Sequence, residues 1–207
     1  ATSFFVYNRS AMVENIQFNK DDASAAASIP VVYLLPDAVK KYCSDATAFY
    51  TISIQAKLIP KSRKARNVIG YINNNADNTI IIGAHYDHLG YGEDGNSLDG
   101  FGQIHNGADD NASGTAALIK LGRILKTDAA KNNNYLLIAF SGKELGLLGS
   151  KYWLSHPTIS VSPDYMINMD MVGRYDSERK LIIGGYGTSP EWSEVFKTTA
   201  DKNLVIK

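Results

Sequence analysis

Runs of consecutive apolar residues constrain the fold of this chain more than any other feature of its sequence. Two runs are almost wholly apolar and rich in β-branched or aromatic residues, at residues 79–82 and 135–140. Two further runs, at residues 68–72 and 165–169, share this composition to a lesser degree. Such strands belong in a sheet that is covered on both faces. Apolar residues at helical spacing from Ala117 to Leu125 predict a helix between two of the strands. We therefore expect an α/β fold with a mixed, mostly parallel sheet and helices on both faces.

The first 60 residues differ from the rest of the chain. Short apolar runs at residues 3–7, 30–35 and 49–56 predict strands, so we expect a small β-rich part over residues 1–60. Residues 61–207 form the main α/β domain in this interpretation. Further elements of that domain are a helix that begins near Glu144, a strand at 181–183 and a helix that opens at residues 190–192. The apolar run at the end of the chain suggests that the domain continues beyond it.

Composition excludes several classes of function. The chain has 21 basic and 21 acidic residues and a formal net charge of zero, so it lacks the positive field that attracts nucleic acid. No apolar run reaches the roughly 18 residues that a membrane-spanning helix needs. We expect no nucleic-acid partner and no membrane span. The single cysteine, Cys43, cannot form an internal disulfide and decides little about the compartment.

Histidine and carboxylate side chains follow the predicted strands where each strand ends. Such positions lie at the carboxyl edge of an α/β sheet, where sites are commonly built. A glycine-bounded loop ahead of the predicted helix adds two adjacent aspartates. Imidazole nitrogen and carboxylate oxygen are the ligands of hydrolytic zinc sites. The candidates are His85 and Asp87 after the strand at 79–82, Asp109 and Asp110 in the loop, Glu144 after the strand at 135–140, and Asp170 after the strand at 165–169.

These segments resemble the metal-ligand segments of the di-zinc aminopeptidase family that includes bacterial leucyl aminopeptidases, aminopeptidase Y and glutamate carboxypeptidase. The resemblance covers roughly residues 66–190, and residues 1–60 resemble part of that family's protease-associated insert. It implies that His85 and Asp170 bind one zinc, that Asp109 bridges two zincs and that Glu144 binds the other. It further implies that Asp87 orients His85, and that a strained, cis-type peptide precedes Asp110.

Two departures from the family pattern bear on activity. Lys143 stands where the family has the glutamate that serves as general base, and no histidine late in the chain matches the family's last zinc ligand. Only one zinc half-site, formed by His85, Asp109 and Asp170, is therefore complete. Lys143 could be neutral with a depressed pKa, swing away, or reduce metal occupancy. We also consider that its ammonium replaces one zinc and pairs with Asp109 or Glu144. The remaining histidines, His88, His105 and His156, are expected to be ordinary surface residues.

The expected function is a zinc-dependent exopeptidase that removes N-terminal residues from peptide substrates through a metal-activated water, impaired by Lys143. The site would hold one or two zincs. A first alternative is a pseudoenzyme that binds peptide or protein without turnover. A second alternative is a glutaminyl cyclase with a single zinc. By analogy with the family, we expect an extracytoplasmic or secreted protein.

Overall fold

A computed structural model describes residues 3–7, 28–45, 47–55, 62–92, 97–98, 102–127, 130–174, 180–199 and 205–206. The chain divides into two compact units, residues 1–62 and residues 63–207. All residues of the candidate site belong to the second unit. The resemblance of the first unit to a protease-associated insert stays a prediction.

The first unit contains two paired strands and a short helix. β1 (Phe4–Tyr7) and β2 (Val31–Leu34) run parallel, and helix α1 (Pro36–Tyr42) follows β2. Pro36 at the start of α1 fits a position where its missing N–H is not needed. The strand predicted at residues 49–56 is wrong for residues 49–55, which have no regular structure, and residue 56 lies outside the described residues. Alternation of apolar residues does not by itself produce a strand, and no described strand pairs with this segment.

The second unit is built on a four-stranded sheet with the order β3-β5-β4-β6. Its strands are β3 (Val68–Ile72), β4 (Thr79–His85), β5 (Asn134–Phe140) and β6 (Tyr165–Asn168). β4 is parallel to both β5 and β6, whereas β3 is antiparallel to β5. The mostly parallel sheet confirms the predicted fold class. It also brings the ends of β4, β5 and β6 to one edge.

Alternate side chains of the central strands enter two separate cores. Ile80 and Ile82 of β4 pack on one face with Leu118 of helix α2 (Gly114–Ile124). Ile81 of β4 packs on the other face with Trp153 of helix α3 (Leu148–Ser155). Because side chains of a strand point alternately to opposite faces, a strand between two cores must be apolar at every position. This explains the uninterrupted apolar runs in the sequence.

The helix predicted to begin near Glu144 starts later, at Leu148. A turn with positive φ at Gly142, Gly146 and Leu147 occupies the intervening residues. Left-handed backbone cannot continue a right-handed helix, so the helix begins only after this turn. The structure continues with β7 (Lys180–Leu181), α4 (Trp192–Thr199) and β8 (Val205–Ile206), which pairs with β7. None of the helices in the described ranges is long and apolar enough to span a membrane.

We predict that Leu136→Ala destabilises the second unit strongly. Leu136 is 0% exposed at the centre of β5, so its truncation leaves a cavity and should lower the free energy of unfolding by about 2–5 kcal/mol. Urea unfolding followed by circular dichroism measures the change. Leu154→Ala is the matched control, because Leu154 is 74% exposed and its truncation should have little effect. Equal losses in the two variants would contradict this account of the core.

Candidate metal centre

His85 and Asp170 meet at the carboxyl edge of the sheet. His85 is the last residue of β4, and Asp170 follows the end of β6. Since these strands are parallel neighbours, both chain segments leave the sheet at the same edge. Nε2 of His85 lies 3.3 Å from Oδ1 of Asp170, and the His85 side chain is only 3% exposed. Two of the predicted zinc ligands are therefore adjacent.

Asp110, and not Asp109, is the loop aspartate that reaches this pair. Oδ1 of Asp110 lies 3.2 Å from Nε2 of His85. Oδ1 of Asp109 instead accepts a hydrogen bond from the N–H of Gly173 at 2.9 Å. The geometry favours Asp110 over Asp109 as the ligand nearest His85, and the assignment of Asp109 as the bridging ligand stays a prediction. A cis peptide bond joins Asp110 to Asn111, one position later than expected.

The main chain next to His85 sets which ring nitrogen faces the carboxylates. Nδ1 of His85 lies 3.1 Å from the carbonyl oxygen of Asp87. A carbonyl oxygen can only accept, so Nδ1 donates to it, and Nε2 is the ring nitrogen that lies beside Asp110 and Asp170 and could bind a metal. The Asp87 carboxylate is farther away, with Oδ1 at 3.8 Å from Nδ1. Asp87 thus orients His85 through its main chain more directly than through the carboxylate named in the prediction.

The carboxylate of Asp87 holds the turn that carries Lys143 and Glu144. Its Oδ1 accepts the N–H of Lys143 and its Oδ2 accepts the N–H of Glu144, both at 3.0 Å. Charge-assisted bonds of this kind are stronger than neutral ones. They fix the backbone after β5 against the segment after β4. Asp87 therefore fixes the main-chain positions of both Lys143 and Glu144.

The ammonium group of Lys143 points into the carboxylate cluster. Its Nζ lies 3.4 Å from Glu144, 3.5 Å from Asp170 and 3.7 Å from Asp110. Partial burial acts to lower the pKa of Lys143, but the negative charges of Asp170, Glu144 and Asp110 together outweigh it and the pKa is raised. The expectation of a depressed pKa concerns a site that holds two zincs, and it stays a prediction. Lys143 does not swing away from the site.

The three histidines expected on the surface behave differently from one another. His88 lies at the site, with Nδ1 at 3.6 Å from Oε1 of Glu144. His105 pairs with Ser97 and His156 stacks on Tyr152. On a continued strand His88 would point to the face opposite His85, but the strand ends at His85, so alternation does not apply to His88. The short spacing between the two histidines was the available signal for His88.

The donor set of the site fits zinc. Ligand atoms of His85, Asp110 and Glu144 all lie within 4.8 Å of one another. A tetrahedral zinc with bonds of about 2.0–2.2 Å separates its ligand atoms by about 3.3–3.5 Å. The distances of 3.2 Å from His85 to Asp110 and 3.3 Å from His85 to Asp170 match this spacing. Oδ1 of Asp110 is buried and makes no hydrogen bond, as expected of an atom that faces an ion.

A buried asparagine ties the segments of the site together. The side-chain amide of Asn111, which is 2% exposed, donates to the carbonyl oxygens of His85 and Met169 at 3.2 and 3.0 Å. Its Oδ1 accepts the N–H groups of Gly114 and Met171 at 3.1 and 3.2 Å. All four bonding positions of the carboxamide are used. No local sequence pattern indicates its bonds to His85, Met169 and Met171.

A cavity of about 370 Å³ opens beside the cluster. Polar side chains make up much of its wall, and Glu144 and His88 border it. It provides space next to the candidate ligands for part of a substrate. Other lining residues are Arg66, Tyr86, Asp87 and Leu145.

Comparison with known sequences assigns the chain to a family. The sequence profile of peptidase family M28 matches residues 67–206. The chain belongs to peptidase family M28. This assignment confirms the resemblance to di-zinc aminopeptidases and, with the donor set above, supports zinc as the metal.

Relatives of this M28 chain include named peptidases. It is 27% identical to aminopeptidase YwaD of Bacillus subtilis over 98% of this chain and 41% of the relative. It is 30% identical to a probable leucine aminopeptidase of Trichophyton verrucosum over 70% of this chain and 38% of the relative. The chain thus spans less than half the length of these relatives. In fold it is similar to the glutaminyl cyclase of Porphyromonas gingivalis, with a TM-score of 0.50 and 21% identity over 63% of this chain and 48% of the cyclase.

We predict that Asp110→Asn weakens zinc binding and that Asp109→Asn does not. Asp110 faces His85, so loss of its charge should raise the zinc dissociation constant by about 100-fold or more. An asparagine at position 109 keeps an oxygen that can accept the N–H of Gly173. Isothermal titration of zinc into metal-free protein measures both variants. If zinc binding were weakened in Asp109→Asn and not in Asp110→Asn, Asp109 would be the zinc ligand, as the resemblance to the family implies.

We predict that Asn111→Ala destabilises the protein by at least about 2 kcal/mol. The substitution removes hydrogen bonds from buried main-chain groups, each of which costs about 1–3 kcal/mol when left without a partner. Urea unfolding measures the change. Asn73→Ala serves as control, because Asn73 is exposed and its side-chain oxygen Oδ1 accepts a local hydrogen bond from the N–H of Asn75. A loss no larger than that of the control would contradict the role given to Asn111.

Proposed function

We propose that this M28 chain is a zinc-dependent exopeptidase domain that acts on the N-terminal residues of peptides, and that Lys143 slows its hydrolysis. The observation that carries the proposal is that Asp110 and Asp170 lie 3.2 and 3.3 Å from Nε2 of His85, with Lys143 beside them. Family membership supports the reaction class. The aminopeptidase names of its relatives support the N-terminal residue as the point of attack.

In this proposal His85, Asp110 and Asp170 hold the metal. Zinc at this position would polarise the scissile carbonyl and acidify a water molecule. Asp87 keeps Nε2 of His85 free for binding and fixes the turn before Glu144. The adjoining cavity would receive the substrate, since it opens directly beside Glu144.

Lys143 is the weak element of this mechanism. Hydrolysis of a peptide bond needs a group that takes a proton from water and passes it to the leaving amine. The ammonium of Lys143 has no lone pair for this task, and its three carboxylate neighbours stabilise the charged form. The absence of a positioned general base typically lowers a rate by about 10²–10⁴. We therefore propose slow turnover.

The second candidate function is peptide binding without turnover. The contacts of Lys143 with Asp110, Glu144 and Asp170 favour it specifically, because these ion pairs occupy oxygens that a metal would use. A domain in this state would retain the cavity and lose the chemistry. A third candidate function is glutaminyl cyclisation. It is supported by the similarity in fold to a glutaminyl cyclase, and no feature of the described site favours it.

We predict that Lys143→Glu raises aminopeptidase activity by about 10²–10⁴ at saturating zinc. The variant supplies a carboxylate where the ammonium now lies and removes a positive charge from the ligand cluster. Release of 4-nitroaniline from leucine 4-nitroanilide measures the rate, and cyclisation of an N-terminal glutaminyl peptide is measured in parallel.

The matched control is Lys151→Glu, which makes the same charge change on an exposed position of α3. Slow, zinc-dependent release of 4-nitroaniline by the wild-type protein would support the exopeptidase proposal. If the wild-type protein releases no 4-nitroaniline and Lys143→Glu restores the release, the result would support peptide binding without turnover. A zinc-loaded Lys143→Glu variant that matches the control would contradict the role given to Lys143.

A further inference from the structure

A run of basic residues precedes the edge strand β3, where Arg63, Lys64 and Arg66 stand close together in the sequence. β3 is antiparallel to β5, with Val68 opposite Ala139. An antiparallel strand begins at the edge of the sheet where its neighbour ends. The basic run therefore enters the sheet at the same edge as the candidate metal ligands.

Hydrogen bonds fix the main chain just before β3 at this edge. Asn67 donates from Nδ2 to the carbonyl oxygen of Gly149 at 2.8 Å, and its Oδ1 accepts the N–H of Ser141 at 3.1 Å. The hydroxyl of Tyr86, which follows β4 directly, donates to the carbonyl oxygen of Arg66 at 2.6 Å. These bonds hold the end of the basic run against the segments that follow β4 and β5.

The basic residues line the cavity beside the carboxylate cluster. Arg63, Lys64 and Arg66 form one part of its wall, and Asp87 and Glu144 belong to another part. Within the part of the chain that the structure describes, no carboxylate forms an ion pair with Lys64 or Arg66. The cavity therefore presents positive charge that the described protein does not neutralise. In a recess, such charge acts on a ligand more strongly than on a flat surface.

The size and position of the cavity limit what these cations can bind. Its volume of about 370 Å³ falls within the range of about 300–1,000 Å³ that is typical of small-ligand sites. Because it opens beside Glu144, a substrate group inside it belongs to a residue close to the bond that is cut. Guanidinium and ammonium groups bind carboxylates through charge-assisted hydrogen bonds. In a peptide, the groups of this kind are the C-terminal carboxylate and the side chains of aspartate and glutamate.

We propose that Lys64 and Arg66 bind a carboxylate of the substrate, so that this chain selects peptides with a carboxylate close to the N-terminal residue. The C terminus of a dipeptide and an acidic side chain in the second residue both supply this group. The inference deepens the proposed exopeptidase function and rests on it. It assigns substrate selection to two residues that neither hold the metal nor carry a proton.

The test compares pairs of peptides that differ in one carboxylate. Leucyl-alanine and its C-terminal amide differ in the terminal carboxylate, whereas the C-terminal amides of leucyl-glutamate and leucyl-glutamine differ in the side-chain carboxylate. Calorimetric titration into zinc-loaded wild-type protein at low ionic strength measures each dissociation constant. We expect the charged member of at least one pair to bind about tenfold more tightly, because charge-assisted bonds are stronger than neutral ones. The pair that shows the difference identifies the source of the carboxylate.

Removal of both cations is the second part of the test. Lys64→Gln combined with Arg66→Gln should abolish the preference and leave binding of the neutral peptides unchanged. The matched control combines Lys120→Gln with Lys151→Gln, which removes the same charge from exposed positions of α2 and α3 away from the cavity, and it should keep the preference. For a charged peptide that is hydrolysed, loss of the two cations should raise KM about tenfold at unchanged kcat, since ground-state and transition-state binding are lost equally.

The inference is overturned if both members of each pair bind wild-type protein equally. It is also overturned if the preference survives loss of Lys64 and Arg66, which would place the carboxylate on the metal, or if the control loses the preference as well. Hydrolysis of the peptides without a carboxylate preference overturns this inference alone. A preference that depends on the two cations, without hydrolysis in wild type or in Lys143→Glu, supports the binding role and overturns the exopeptidase function. Absence of binding by all four peptides overturns both.

Discussion

The carboxamide of Asn111 is the interaction on which the rest of the site depends. It joins the end of β4 at His85, the segment after β6 at Met169 and Met171, and the start of α2 at Gly114. The sheet brings these segments to one edge but does not by itself fix their mutual distances. Because the amide donates twice and accepts twice, it sets three backbone segments at once. The ligand side chains then inherit their positions from a rigid, buried support.

Charge is the second constraint on the site. Asp110, Glu144 and Asp170 lie close enough to repel one another unless a cation is present. Lys143 supplies one positive charge within 4 Å of each of them. In the family pattern metal ions alone would fill that role, and the residue at this position would be a proton carrier. We propose that lysine at this position competes with a metal for the carboxylates and slows hydrolysis.

The fold could be predicted from the sequence because the buried strands are apolar at every position, which only a two-sided sheet explains. Strand ends also located His85, Glu144 and Asp170 correctly at one edge. Sequence could not choose between Asp109 and Asp110, since the choice depends on the dihedral angles of one turn. It did not predict the bonds that Asn111 makes across the site or the position of His88 in it, because no local pattern encodes such contacts. The late start of α3 has a local cause in the left-handed turn before it.

We propose that one zinc and the ammonium of Lys143 share a single carboxylate cluster. The most direct test is a zinc-edge anomalous difference map from crystals of wild-type protein soaked in zinc. We predict one strong peak within bonding distance of His85, Asp110 and Asp170, with Nζ of Lys143 still directed to Glu144. Absence of a peak at His85, or two peaks of equal height with Lys143 turned out to solvent, would contradict it.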